Sequence, residues 1–320
     1  MKQLTPGRWR GLNTTSLQDK QVFGILAFDQ RTTLQRMLPD DTPYSAAVTL
    51  KHDIVGTLNT YASAVVIDPE YGLGPAMQMS GQRGLLLALE KSGYTGKSSE
   101  RRTTFLPGWT PEKIRRMGAN AVKMLVYYHP GANALTEEME AMIREQVQAC
   151  HAVDLPIFLE PVTYSIDPQH DKDSAEFAQQ RPQIVVETAK RLSQTGADVL
   201  KMEFPVNAAY DTDETSWRKH CEALSSNVDI PWVLLSAGVD FATFERQVRV
   251  ACACGASGFL AGRAIWKETV NMPPEARQAY LRSEATSRIK QLVEIATRSA
   301  RPWTDFYTAP ESAQDWYVNY

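Results

Sequence analysis

Cysteine and histidine are both scarce in this chain: its 320 residues contain 4 of the first and 5 of the second. Cys150, Cys221, Cys252 and Cys254 form no CxxC pair and no framework spacing, so neither a disulfide scaffold nor a thiolate metal site is expected. His52, His129, His151, His170 and His220 stand apart, with no HxH or HExxH pairing to hold zinc. No metal and no cofactor are expected. Long apolar stretches are missing too, since none approaches the roughly 18 uncharged residues of a membrane span. There is no Lys/Arg-rich run, and 34 basic against 37 acidic side chains leave a net charge of −3. These absences argue against a membrane anchor and against a nucleic-acid partner. The opening MKQLTPGRWRGLNTTSLQDK lacks the apolar core of a signal peptide, which points to a cytoplasmic protein.

What the chain does have is alternation. Short apolar runs rich in β-branched residues alternate with amphipathic stretches, the pattern of repeated β-α units around a parallel sheet. Eight such runs are legible: 22–28, 62–67, 85–89, 121–127, 156–159, 198–204, 231–235 and 258–260. The third, within LLLALEKSG, reads equally well as a helical turn. Eight nearly continuous apolar strands favour a closed barrel over an open sheet, because both strand faces must be buried. The expectation is an α/β fold, a single (β/α)8 TIM barrel over 1–320, with its core at about 22–298, an N-terminal extension and an aromatic tail from 299 to 320.

Helix signals fall between the runs. Thr110-Pro111-Glu112 combines a hydroxyl cap, a first-turn proline and a first-turn acid, and Gly118 stops that helix. Leu135, Met139, Met142, Ile143, Val147 and Cys150 fall at helical spacing after Thr136-Glu137-Glu138, as a core stripe. Pro182 is expected to open a helix that ends at Gly196, and Phe241, Phe244, Val248 and Ala251 repeat the pattern before Gly255. The polar stretch 169–180 reads as a loop, and a last helix runs from Leu281 toward Arg298.

In such a barrel the reacting groups project from the carboxyl ends of the strands. Polar residues gather there: Asp29, Gln30 and Arg31, then Asp68 and Glu70, Glu90 and Lys91, Lys123, Glu160, Lys201 and Glu203, Ser236, and Arg263. Lys123 and Lys201 are the most informative, because each lies inside an apolar run where an ammonium is normally excluded. By strand alternation Lys123, Leu125 and Tyr127 share one face, as do Lys201 and Glu203, so both ammonium groups are expected to point into the barrel. Burial and a neighbouring cation both favour a free amine, which can attack a carbonyl and form a Schiff base. The competing reading makes each lysine a buried ion-pair member. Ser236-Ala237-Gly238 and Ala261-Gly262-Arg263 place small residues, backbone N–H groups and a guanidinium where barrels commonly bind phosphate, so an anionic substrate is expected. Alternatively, these glycines only turn the chain. Glu160 and Asp29 could move the protons that Schiff-base chemistry requires, or serve as structural partners.

Eight motifs then resemble a family. FDQR (28–31), DPEYGL (68–73), LEKSGY (89–94), GANAVKMLVYY (118–128), FLEPVTY, DVLKMEFPVN, LLSAGV and GRAIW are similar, in this order, to the class I tagatose 1,6-bisphosphate aldolases, over approximately Phe23 to Trp266. The resemblance implies a (β/α)8 barrel that cleaves the C3–C4 bond of a ketose 1-phosphate through an imine, releasing dihydroxyacetone phosphate and an aldehyde such as glyceraldehyde 3-phosphate. It implies Lys201 as the nucleophile, Glu160 as proton shuttle and Asp29 as base for the C4 hydroxyl. Lys123 would be the second active-site lysine, disfavouring a proton on Lys201 and orienting substrate. Ser236, Gly238, Gly262 and Arg263 would cradle the 1-phosphate, while Gln30 and Arg31 would meet substrate hydroxyls or the distal anion. PWVLLSAGVD and GASGFLAGRAIW resemble more closely the related 6-deoxy-6-sulfofructose 1-phosphate aldolases, which give sulfolactaldehyde, and Thr32 stands where the tagatose enzymes usually have glycine. Two further readings stay open: a sugar-phosphate-sensing regulatory barrel without turnover, and an isomerase or lyase working through carboxylates alone. The partner in every case is a small sugar phosphate, and a homo-oligomer is compatible with the sequence.

Overall fold

All eight apolar runs become strands in the computed structural model, which describes every residue except Met1, Ser80, Ser312 and Asn319. A two-residue strand β1 (Lys2–Gln3) comes first. The runs follow as β2 (Phe23–Phe28), β3 (Ala64–Ile67), β4 (Gly84–Ala88), β5 (Ala121–Tyr127), β6 (Ile157–Val162), β7 (Val199–Met202), β8 (Trp232–Leu235) and β9 (Gly258–Ala261), and β10 (Tyr307–Thr308) ends the series. Strands β2 to β9 pair in parallel in chain order, and β9 closes onto β2. This is a (β/α)8 barrel with terminal extensions. The ambiguous third run is strand β4, because only an extended segment can pair with β3 on one side and β5 on the other.

Two strand ends differ from the periodicity. β6 runs on through Glu160 and Pro161 to Val162, paired along its length with β5. β7 stops at Met202, so Glu203 lies just beyond it. Burial explains the runs themselves: every residue of β2 is buried, as expected where helices cover the outer face and side chains fill the inner one.

The helices follow their caps. The Thr110 side chain accepts from Lys113 N, and Gly118 takes the left-handed conformation that ends the turn. The expectation that Pro182 opens a helix is corrected, since it lies inside the helix Ala175–Ser193, which starts with the Ser174 hydroxyl accepting from Phe177 N. Phe177, Arg181, Ile184, Val185 and Leu192 form one buried face on both sides of the proline. That continuous face outweighs the roughly 3 kcal/mol an interior proline costs. The polar stretch expected as a loop is therefore helical from Ala175. Similarly the last helix begins earlier, at Pro274, and passes through a π-helical turn at Leu281–Ala285 before Thr286–Ser299.

The aromatic tail covers the amino end of the barrel together with the helix Pro6–Thr15. Gly11 of that helix sits so close to Asn120 O and Pro156 that a Cβ would collide with both. Trp303 is fully buried, edge-on to Trp9 with ring centroids 4.6 Å apart, and its indole N–H donates to Ser16 Oγ. β10 pairs with β1, joining the two ends of the chain. Among the described residues, no helix is long and apolar enough to cross a membrane.

Candidate active site

The carboxyl ends of the barrel strands surround one cavity of about 450 Å³. Lys123, Leu125 and Tyr127 all line it from β5, as strand alternation requires, and Lys201 lines it from β7 with Glu203 just past that strand's end. Asp29, Gln30 and Arg31 enter from the end of β2, Glu90 from the end of β4 and Glu160 from β6, with Ser236, Gly262 and Arg263 on the opposite wall.

Three lysines are buried in this molecule, and their partners set them apart. An ammonium has three N–H donors. Lys51, on the helix Tyr44–Leu58, uses all of them: Phe28 O at 2.7 Å, Gln30 O at 2.9 Å and the carboxylate of Asp68. Lys123 is likewise surrounded, with Asp29 Oδ2 at 2.6 Å, Glu160 Oε2 at 2.8 Å and Glu90 Oε1 at 2.9 Å. Lys201, only 3% exposed, has a single partner among the described residues, Glu160 Oε2 at 2.9 Å. Glu160 thus bridges the two strand-borne amines.

The electrostatics follow from this packing. Burial opposes the charge on Lys123, but Asp29, Glu160 and Glu90 outweigh it and raise its pKa well above the ordinary lysine value. Burial also opposes the charge on Asp29, and here Lys123 and Lys201 prevail, holding its carboxyl below the usual range. The positive charge of Lys123 therefore reaches Lys201 largely cancelled by three carboxylates.

Glu90 holds more of the site together than its place in the sequence suggested. Its Oε2 accepts from Leu125 N at 3.0 Å, its Oε1 from Lys123 and from Arg31, and its backbone oxygen from Arg31 at 2.8 Å. Arg31, expected to meet the substrate, is therefore directed to Glu90 and to Glu70 Oε1 at 3.3 Å, although it still borders the cavity. Gln30 keeps its side-chain oxygen buried without a hydrogen-bond partner among the described residues, available to a ligand hydroxyl. Asp68 turns away from the cavity. It accepts from Glu70 N and Tyr71 N and pairs with Lys51, which in turn grips the backbone on both sides of Asp29. Lys51 was legible only as a lysine at i+4 from Ala47 and i−4 from Val55, on the buried face of its helix.

On the opposite wall Gly262 N donates to Ser236 Oγ at 3.3 Å, and Arg263 donates to Ala237 O at 3.3 Å. Gly238 is not part of the wall. It has φ of +85°, and a Cβ there would stand 2.7 Å from the guanidinium carbon of Arg263, so glycine makes room for the arginine that lines the cavity. Burial lowers the pKa of Arg263, with Glu160 and Asp29 opposing. Arg36, Lys91 and Lys172 add positive charge around the rim; of these, only Lys91 carried a positional signal, as the residue after Glu90.

A family model described as DeoC/LacD family aldolase matches residues 23–268. Tagatose 1,6-diphosphate aldolase 2 of Streptococcus pyogenes serotype M3 is 35% identical over 306 residues, 89% of this chain and 93% of that protein. Tagatose 1,6-diphosphate aldolase of Lactococcus lactis subsp. lactis is 35% identical over 312 residues, 90% and 95% of the two chains. Among solved structures, a Schiff-base-forming fructose-1,6-bisphosphate aldolase superposes with a TM-score of 0.57 at 18% identity, over 89% of this chain and 98% of the other. Fructose-bisphosphate aldolase from Plasmodium falciparum gives a TM-score of 0.67 at 17% identity, over 94% and 98%. At such identities the solved structures speak for the fold alone.

Proposed function

The chain belongs to the DeoC/LacD family of aldolases, which are carbon–carbon lyases, and on that premise we propose that it splits a ketose 1-phosphate through a Schiff base on Lys201, with tagatose 1,6-bisphosphate as substrate. The observation that carries the reading is the sparse coordination of Lys201, beside two buried lysines whose ammonium groups each have three oxygen partners. An amine can act as nucleophile only if its lone pair can be released, and one carboxylate contact is easier to give up than three.

In this reading Ser236 Oγ, the Gly262 backbone and Arg263 hold the 1-phosphate and set the ketone over Lys201. The amine passes a proton to Glu160 and attacks C2, and Glu160 returns protons as the hydroxyl leaves as water and the imine forms. A protonated imine is an electron sink for the pair released when C3–C4 breaks. Asp29, ionised through the neutral range, takes the C4 hydroxyl proton as glyceraldehyde 3-phosphate departs. The enamine is then protonated and hydrolysed to dihydroxyacetone phosphate. Lys123 keeps Asp29 and Glu160 in register, and Gln30 offers its oxygen to a sugar hydroxyl. Arg31 acts through Glu90, and cations at the rim attract the distal anion. The expected setting is the cytoplasm.

Borohydride reduction with dihydroxyacetone phosphate, followed by peptide mass analysis, tests the first step: an adduct on Lys201 is expected, and its absence would sink the nucleophile assignment. A panel with tagatose 1,6-bisphosphate and 6-deoxy-6-sulfofructose 1-phosphate tests the substrate. Turnover of the sulfonate alone would reassign it, and binding of both without cleavage would turn the barrel into a sensor.

A further inference from the structure

The contact between Lys201 and Glu160 is made where strand pairing has already stopped. β5 and β6 are paired over six positions, from Val122↔Ile157 to Tyr127↔Val162. β6 and β7 are paired only at Phe158↔Val199 and Leu159↔Leu200, one residue short of Glu160 and Lys201. The cause is in the sequence. Asp198 N donates to Ile157 O, so the odd-numbered residues of β6 turn their backbone groups toward β7. Past Leu159, the last paired residue of β6, the next N–H due on that side belongs to residue 161, which is proline and has none.

One residue pair further on, a side chain takes over. Thr163 N, the next group facing β7, donates to Glu203 Oε2 at 2.8 Å, and the Thr163 hydroxyl donates to the same oxygen at 2.6 Å. Glu203 stands two residues after Lys201, beyond the end of its strand. Its other oxygen accepts from Arg181 at 3.3 Å, while Arg181 Nε donates to Phe204 O at 3.1 Å. Glu203 is 4% exposed and Arg181 8%, so this is a buried clamp. The arginine comes from the face of the helix that continues through Pro182.

We propose that Glu203, anchored by Arg181, is a positioning residue that fixes Lys201 against Glu160 by joining β6 to β7 where Pro161 leaves their ladder open. The inference rests on the Schiff-base reading above. Lys201 and Glu160 then owe their 2.9 Å separation to a carboxylate on the far side of the gap, and that separation governs proton transfer before imine formation. Substrate capture, which the phosphate cradle performs on another wall, is left alone.

The test compares wild type with Glu203→Ala, Glu203→Gln and Arg181→Lys, reading the rate of borohydride trapping with saturating dihydroxyacetone phosphate, kcat and KM for cleavage, and thermal stability. Glu203→Ala is expected to slow trapping and kcat by about 100-fold with KM within about threefold of wild type. Glu203→Gln keeps an oxygen for Thr163 N, and Arg181→Lys keeps a cation near Glu203, so each should restore the rate to within about tenfold of wild type. If Glu203→Ala fails to fold, these two variants carry the test, with trapping slowed about three- to tenfold at unchanged KM. Folded variants that trap at the wild-type rate but melt earlier would make the clamp merely structural and overturn the proposal. A tenfold rise in KM with unchanged trapping at saturation would make Glu203 a substrate ligand and also overturn it. Absence of any adduct in the wild type defeats the Schiff-base reading itself; a wild-type adduct with no slowing in the variants defeats only the clamp.

Discussion

At the amino end of the barrel Asp198 is wholly buried, and both its oxygens are taken. Oδ1 accepts from Arg8 Nε at 3.1 Å, and Oδ2 accepts from Ile157 N at 2.9 Å and meets His151 Nε2 at 3.0 Å. Its backbone oxygen accepts from the hydroxyl of Tyr307 at 2.7 Å, so the tail seals the cluster. At the carboxyl end Asp29, Glu90 and Glu160 are also buried and also close to cations, but they border a cavity, and Lys201 is left with one partner among the described residues. Saturation separates the two ends. A buried charge whose every lone pair is occupied makes an immovable joint, and one with a spare donor or acceptor beside open volume can exchange protons with a ligand.

Substitutions can break that contrast. Lys201→Met should lower cleavage by about 10⁴-fold or more in a folded protein, measured by steady-state kinetics and circular dichroism, because the nucleophile is lost while the aliphatic stem is kept. A variant that retained most activity would point to chemistry by carboxylates alone. Lys123→Met should damage both properties at once, about 10³-fold in kcat and about 3–5 kcal/mol in a urea titration, since three carboxylates would face one another without their shared cation. Asp198→Asn should cost about 3 kcal/mol in the same titration with kcat per folded molecule within about twofold. A tenfold fall in kcat there would show that the two ends are coupled.

Acid sharpens the comparison further. Burial opposes the charges of Asp198 and Glu203, yet His151 and Arg8 in the first case, and Arg181, Lys172 and Thr163 in the second, leave both carboxyls below their ordinary pKa values. A carboxyl depressed by folding contributes stability that is fully present above its unfolded pKa, about 4, and is lost as pH falls through the lower folded value. Urea midpoints should therefore drop below pH 4, and Asp198→Asn should flatten part of that drop. The smallest effect expected is that of Tyr307→Phe, about 1 kcal/mol for one hydrogen bond at the sealed end, with cleavage unchanged.

The residues that were legible in the sequence share one property: their signal is local. A lysine inside an apolar run, as at Lys123 and Lys201, is conspicuous without knowing what lies opposite. A threonine-proline-glutamate start or a glycine stop is equally self-contained. Lys51 was silent because a lysine in a helix is ordinary until Asp68 and two backbone carbonyls are found around it. Pro182 misled for the reverse reason, as a local start signal overridden by a buried face that begins a turn or more before it. Arg31 and Glu90, 59 residues apart, show the same limit: each was noticed alone, and their mutual engagement was not.

Alternation of apolar runs and the charges placed at their ends determined the barrel, the face on which chemistry occurs and the two amines worth watching, because strand period and side-chain hydration act over a few neighbouring residues. Closure of the barrel decided the rest. It brought Asp29, Glu90 and Glu160 around Lys123, left Lys201 with one partner, and set Glu203 across the gap made by Pro161. Those outcomes depend on distances between residues far apart in the chain, and such distances exist only once the last strand has paired with the first.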